Sequence, residues 1–360
     1  MIKRPSIQKL TVLLILSGIA CAISSFNIHP HNTNPGNTDP NHTHPKQRSS
    51  PLRTIIIDPG HGGFDPGTSG LFSQEKNVAL AISMKLGKAL QEEFPDMKII
   101  YTRTTDIMPG NMPTKTEGLH YRAELANKSR GDLFICIHAN NDGHSPGTYA
   151  VKRVIGHKLV GKKRKKRVPI YETYYVKNTR AGTESYIWKA DRSGFKGTAI
   201  GQREESEGQE NDLTDSTTKE AFDMTTPEAK IKAQLYEKKF FANSALFASL
   251  VEGEFVKAGR QSYGVKQRDE GIQVLQATGM PSVLIETGFL SNKEEEEFLN
   301  SEDGQNEIVR NIVDAFKHYK DTLEGKNTGN GDNSLRALGT VRNSVARISQ
   351  PSAARPSTRR

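Results

Sequence analysis

Three short runs in this chain each end on a residue able to hold a metal or move a proton. Ile55-Ile56-Ile57-Asp58-Pro59-Gly60-His61-Gly62-Gly63 stops at a glycine-rich turn that carries a histidine. Phe134-Ile135-Cys136-Ile137-His138-Ala139-Asn140 repeats the design, and Val283-Leu284-Ile285-Glu286-Thr287-Gly288 repeats it with a carboxylate. β-Branched, apolar runs of this length read as strands, and sites in open α/β sheets form beyond the carboxyl ends of strands. Read together, the three runs imply one site with two histidines and at least one glutamate.

That set suits a particular chemistry. A catalytic zinc takes three protein ligands from His, Asp, Glu or Cys and keeps a fourth position for water. His61 and His138 supply nitrogen, and the third ligand is expected to be a carboxylate. Glu75 is the best placed, where the glycine-rich loop enters the first helix; the alternative is a first-turn acid that complements the helix dipole. Glu286 is then available to take a proton from an activated water and pass it to a leaving amine. Its alternative is a strand-end acid held in a structural pair. An acid on so apolar a run is costly unless it serves something, and the following Thr287-Gly288 lets backbone approach a substrate closely. The loop lacks the Gly-Lys-Ser/Thr of a phosphate loop and the Gly-x-Gly-x-x-Gly spacing, and a Gly-x-Ser-x-Gly nucleophile elbow is also missing. Cys136 lies on an expected buried strand and reads as a small apolar residue.

The elements that position these residues alternate. A strand at 54–58 leads to the His61 turn. A helix from about Glu75 to Phe94 repeats Val78, Ile82, Leu86 and Leu90 on one face. Strands at 98–102, 132–138 and 283–287 are expected, with helices near 119–129, 228–256 and 304–321. On the 228–256 helix, Ile231, Leu235, Ala242, Leu246 and Leu250 mark the expected buried face. Alternating strands and helices imply an α/β fold with a largely parallel sheet covered on both faces.

Composition places polar segments around this core. Over 360 residues the hydrophobic content is 34%, and the mean hydropathy is −0.62. Residues 1–24 read as a signal peptide: Lys3, Arg4 and Lys9 precede a short apolar run, Leu10 to Ile23, that is short for a membrane span. Cys21 stands where a lipoprotein signal places its lipidated cysteine, although Gly18 departs from the expected leucine-like residue. With Cys136 the sole cysteine after that segment, an intramolecular disulfide framework is excluded. Residues 25–52, rich in Asn, His, Pro and Thr, read as a flexible tether whose histidines are solvated.

Residues 141–227 break the α/β pattern as a charged insertion. Nine Lys or Arg and no acid lie between Lys152 and Arg167, and Glu204, Glu205, Glu207, Glu210, Asp212 and Asp215 follow. Its few apolar residues, Tyr171, Tyr174, Tyr175, Val176, Ile187 and Trp188, suggest a small hairpin-like unit. The tail 324–360 is basic, with seven Lys or Arg against Asp332 from Gly325 on, and reads as disordered. An exported chain without interleaved aromatic platforms argues against nucleic acid. Anionic glycan, lipid head groups or an acidic partner suit the charges better.

Asp58-Pro59-Gly60-His61-Gly62-Gly63, Glu75-Lys76, Ile137-His138-Ala139-Asn140 and Glu286-Thr287-Gly288-Phe289-Leu290-Ser291-Asn292 together resemble the type 3 family of zinc-dependent N-acetylmuramoyl-L-alanine amidases. The resemblance covers roughly 53–320, most of 141–227 excepted. It implies a twisted, mostly parallel sheet of about six strands in one catalytic domain, 53–323. It implies zinc on His61, Glu75 and His138, with Glu286 as general acid/base. The implied reaction is hydrolysis of the amide between N-acetylmuramic acid and L-alanine in peptidoglycan, outside the cytoplasm: in the periplasm or cell envelope, at a membrane if Cys21 is lipidated. Some family members are restrained by a helix in an insertion after the second histidine. The insertion here has that position, and its basic stretch is a departure, so occlusion of the site, wall binding and binding of an activator protein all stay open. A catalytically silent peptidoglycan-binding or partner-activating protein of the same fold is the rival reading, and a peptidase or deacetylase with another amide substrate is a third. The filled His61, Glu75, His138 and Glu286 positions argue against the silent protein.

Overall fold

The structure, a computed structural model, describes residues 52–162, 164–189, 196–197, 199–200, 226–268 and 272–325. The segment 1–24 expected to be a signal, nearly all of 25–52 expected to be a tether, the acidic stretch 204–215 and the tail beyond 325 lie outside the described residues.

Six strands form the central sheet: β1 (Thr54–Pro59), β2 (Lys98–Tyr101), β3 (Leu133–Asn140), β6 (Thr183–Trp188), β7 (Ser262–Arg268) and β8 (Ser282–Phe289). Their order is β2-β1-β3-β8-β6-β7. All neighbours run parallel except β6 against β8, which is antiparallel. The helices are α1 (Glu75–Glu93), α2 (Lys115–Lys128), α3 (Pro227–Lys257), α4 (Gln273–Ala277), α5 (Lys293–Asn300) and α6 (Glu302–Glu324). α1, α3 and α6 pack into one layer, and α2 packs with α4 in another. The remaining strands, β4 (Thr148–Val160) and β5 (Lys166–Lys177), make a separate antiparallel hairpin. Among the described residues no helix is long and apolar enough to cross a membrane. The α/β class and the mostly parallel six-stranded sheet match the sequence expectation.

The site strands are the centre of the core. Ile55, Ile56 and Ile57 on β1, Leu133 to Ile135 and Ile137 on β3, and Val283 and Ile285 on β8 are fully buried. Each such aliphatic side chain contributes about 1.5–3 kcal/mol on leaving water. The helix faces tell where periodicity works. On α1 the expected Val78, Ile82, Leu86 and Leu90 are all buried. On α3 the expected face is out of phase: Ile231 is 58% and Leu235 63% exposed. The buried face instead mixes the small Ala233, Ser244, Ala245 and Ala248 with the large Phe241, Phe247, Val251 and Phe255. α2 starts at Lys115, ahead of the expected 119. Its signal is a capping box, not apolar spacing: Thr114 Oγ1 accepts from Glu117 N at 3.2 Å and donates to Glu117 Oε2 at 2.7 Å.

The insertion is divided. β4 and β5 realise a hairpin that includes Tyr171, Tyr174, Tyr175 and Val176. Ile187 and Trp188, expected beside them, are instead buried on β6 inside the main sheet. β6 carries few aliphatic residues, Thr183-Glu184-Ser185-Tyr186-Ile187-Trp188, so its strand character is invisible to hydrophobic patterning. β7, α4 and α5 were likewise not expected, although Asn292, which caps α5 by accepting from Glu294 N at 3.0 Å, signals that helix.

Candidate active site

The β1 run ends in a turn that left-handed backbone makes possible. His61 has φ 57°, Gly62 126° and Gly63 58°. Residues without a Cβ adopt such angles freely, whereas a histidine is held there by its surroundings. Two buried arginines provide them. Arg103 donates from Nη2 to Gly60 O at 2.7 Å and to Lys76 O at 2.8 Å. Arg122 donates to Pro59 O at 2.8 Å and His61 O at 2.5 Å, and also pairs with buried Asp58. Further along, the buried Glu296 carboxylate accepts from the backbone of Leu71, Phe72 and Ser73 at 2.7–2.9 Å. The long loop between His61 and Glu75 is therefore fixed at both ends.

Within this frame the three expected ligands converge. His61 Nε2 lies 3.1 Å and His138 Nδ1 2.6 Å from Glu75 Oε1. A ligand atom from each of the three residues lies within 4.8 Å of the others, an arrangement able to hold a metal ion. Two imidazoles and a carboxylate are the donor set of a borderline-soft divalent metal. Glu75 is the first residue of α1 and also meets both histidines. Burial disfavours its ionised form, but hydrogen bonds to His138 and His61 win and hold it well below the usual carboxylate range. For His61, burial opposes protonation, and the Glu75 and Asp65 carboxylates overcome it to raise its pKa.

Side chains behind these residues aim them. Asp65 Oδ2 lies 2.8 Å from His61 Nδ1, which turns Nε2 toward Glu75. Lys115 Nζ holds Asp65 in turn at 3.0 Å. Gly60 leaves room for the other imidazole: a Cβ there would stand 2.5 Å from His138 Cε1. Sequence reading missed Asp65, Arg103 and Arg122. The one available signal was Asp65, four residues beyond His61 in the same loop.

Glu286 sits on β8 directly opposite His138, and both line a cleft of about 470 Å³ with His61, Glu75 and Arg268. Its Oε2 is buried with no hydrogen-bond partner. Burial first, then repulsion by Glu75 and Glu184, push the carboxyl well above its ordinary value, against the pull of Arg268. Glu184, on β6, was not anticipated. It faces Glu286 across the strands and is held ionised by Lys266 and Tyr186 despite its burial. Asn140 also donates to Glu184. Cys136 is buried, with Sγ 3.0 Å from Asp58 Oδ2. Burial and Asp58 raise its thiol pKa well above the ordinary value, so it is no thiolate nucleophile.

A family model described as N-acetylmuramoyl-L-alanine amidase (Amidase_3) matches residues 55–318. N-acetylmuramoyl-L-alanine amidase AmiC of Escherichia coli O6:H1 is 28% identical over 76% of this chain and 54% of its own length. A probable amidase AmiB of Haemophilus influenzae is 30% identical over 73% of this chain and 51% of its own length. The chain thus spans about half the length of these curated relatives. An N-acetylmuramoyl-L-alanine amidase structure from Clostridium difficile 630 covers 76% of this chain and 98% of its own, with 22% identity and a TM-score of 0.44. With the family model matched from β1 into α6, over most of the chain, this chain belongs to the Amidase_3 family of N-acetylmuramoyl-L-alanine amidases.

Proposed function

We propose that this chain hydrolyses the amide joining the lactyl group of N-acetylmuramic acid to the L-alanine of a peptidoglycan stem. The observation that carries the reading is the unpartnered Glu286 carboxyl facing the His61–Glu75–His138 cluster in one cleft. The donor chemistry fits zinc, which His61, Glu75 and His138 would hold. When bound, zinc supplies Lewis-acid polarisation of the scissile carbonyl and an acidified water. The chain's own residues do the rest. Asp65 fixes the His61 tautomer, and Arg103 and Arg122 keep the His61 turn in place. Glu286 Oε2 accepts the proton of the attacking water and returns it to the leaving alanine nitrogen. Glu184, ionised beside it, favours the protonated state of Glu286 and so readies it to give the proton back.

Control by an activator protein through residues 141–227 belongs to the same reading. Its support is Lys196, a fully buried insertion residue that donates from Nζ to Leu275 O at 2.8 Å. Leu275 lies on α4, whose Gln273, Val274 and Leu275 line the cleft. A partner that moves the segment around Lys196 thereby moves a cleft wall. Export to the periplasm or cell envelope rests on the composition of residues 1–24, and lipid anchoring on Cys21.

The test is zinc content and cleavage of purified wall by wild type beside Glu286→Ala. Free stem peptide with a new L-alanine amino terminus, together with a variant that keeps zinc and loses activity, supports the reading. A new terminus within the stem assigns a peptidase, and absence of zinc removes the ligand assignment.

A further inference from the structure

The β4–β5 hairpin is an arm. Its strands pair with each other from Thr148↔Lys177 to Val160↔Lys166, and their side-chain tie to another described element is at the root, where Lys177 pairs with Glu294 of α5. At roughly 3.3 Å per residue the 13-residue β4 reaches roughly 40 Å. A two-stranded hairpin alone in water is marginal, so an arm exposed on both faces needs a surface to complete it. Large aliphatic side chains cluster in its outer half: Ile155 is 58%, Leu159 64% and Val160 48% exposed. Lys158, Lys162, Arg164, Lys165, Lys166 and Arg167 are exposed among them.

The register decides how these two kinds of side chain are mixed. A bulge between Val154 and Gly156 resets the pairing. Beyond it Lys158 faces Val168, Val160 faces Lys166, and Leu159 faces Arg167. Each of these rungs offers one aliphatic group and one cation. Glu172, the arm's single carboxylate, is already taken by Arg153 at 2.7 Å. A soluble polyanion would meet the cations but give Leu159 and Val160 no apolar phase. A second copy would bring the same positive charge.

We propose that the arm docks the protein on an anionic phospholipid surface. The tip goes in end-on, so that Leu159 and Val160, on opposite faces of β4, both reach the boundary between head groups and acyl chains, and the Lys and Arg row around the turn meets lipid phosphates. The arm is firmly rooted for this. Gly147 N donates to Ser291 O at 2.9 Å, and Asn178 donates from N to Gly147 O at 2.8 Å and from Nδ2 to Asp142 Oδ1 at 2.9 Å. Ser291 follows the Glu286 strand, so docking the arm also sets the height of the cleft above the lipid. This role is independent of the reaction catalysed in the cleft.

The experiment is flotation of the full-length chain with phosphatidylcholine vesicles and with vesicles of equimolar phosphatidylcholine and phosphatidylglycerol. Because residues 10–23 form an apolar run, the reading is the difference between wild type and two arm variants. One replaces Lys162, Arg164, Lys165, Lys166 and Arg167 by Gln; the other carries Leu159→Ser and Val160→Ser. The proposal expects partition onto the anionic vesicles to fall at least about a hundredfold in the first and about tenfold in the second. Melting and hydrolysis of soluble wall fragments should be unchanged in both, which separates a failure of docking from a failure of the amidase reading. Equal flotation of wild type and both variants overturns it. So does full binding by the Leu159→Ser, Val160→Ser variant with complete competition by dextran sulfate, which assigns a soluble polyanion. A dimer or an acidic-protein complex that the variants abolish, without any change in flotation, overturns it as well.

Discussion

Two regions leave the carboxyl end of β3 and obey opposite rules. The His61–Glu75–His138 cluster and Glu286 lie under cover, and the two histidines are set by groups behind them: Asp65, Arg103, Arg122 and the small Gly60. The β4–β5 arm, beginning at Thr148 eight residues beyond Asn140, is exposed along both strands and held at its root alone. In the first region, polar groups are removed from water and matched one by one, with Glu286 Oε2 left unmatched at the point where chemistry is expected. In the second, apolar groups are left in water, which is the mark of a contact made elsewhere. Preorganisation and docking thus use the same sheet end but different currencies of surface.

The comparison can be broken most severely by cutting. Excision of 150–215 removes β6, which joins β7 to β8 and buries Trp188. The loss should exceed the 5–15 kcal/mol by which domains are stable, giving no folded protein by circular dichroism. Next in size is Glu286→Gln, expected to lower the rate about a hundredfold to ten-thousandfold while zinc content stays. The same variant carries a pH signature. The folded chain raises the Glu286 pKa above 4.5, so it favours the protonated form; that stabilisation is full below pH 4.5 and is lost as pH rises through the folded value. Thermal melts of the metal-free proteins should show wild type losing ground to Glu286→Gln as pH rises from 4.5.

Smaller effects sharpen the contrast. Gly60→Ala places a Cβ 2.5 Å from His138 Cε1, and should weaken zinc binding about a hundredfold in a competition titration. Asp65→Asn, which loosens the His61 orientation, should weaken it about tenfold. Smallest of all, excision of 149–176 closed by a short glycine turn should leave melting and soluble-fragment hydrolysis near wild type, because Gly147 and Asn178 already meet at the root. A large loss there would mean that the arm is part of the site and not an appendage to it.

The sequence legibly announced what short-range chemistry controls. β-Branched runs ending in His61, His138 and Glu286 became adjacent parallel strands, since buried parallel strands are nearly continuous apolar runs. α1 was legible because Val78, Ile82, Leu86 and Leu90 mark its buried face at a constant spacing, and α3 was misread because the exposed Ile231 and Leu235 set the wrong phase, while its packing face starts on Ala233 and Glu237. β6 was invisible because Glu184, Ser185 and Tyr186 interrupt any apolar pattern: Glu184 faces Glu286, Tyr186 bonds Glu184, and Ser185 bonds Glu252 of α3.

The sequence by itself therefore determined the class of fold, the residue types of the cluster and the separateness of a basic segment, all properties of local composition and period. Tertiary structure alone decided that Glu184 faces Glu286, that Asp65 turns His61, and that two arginines from distant elements hold one loop. It also decided that Thr183–Trp188, within the apparent insertion, is a strand of the sheet. Those outcomes depend on which strands become neighbours and on which buried charges must find partners, and no local pattern encodes either.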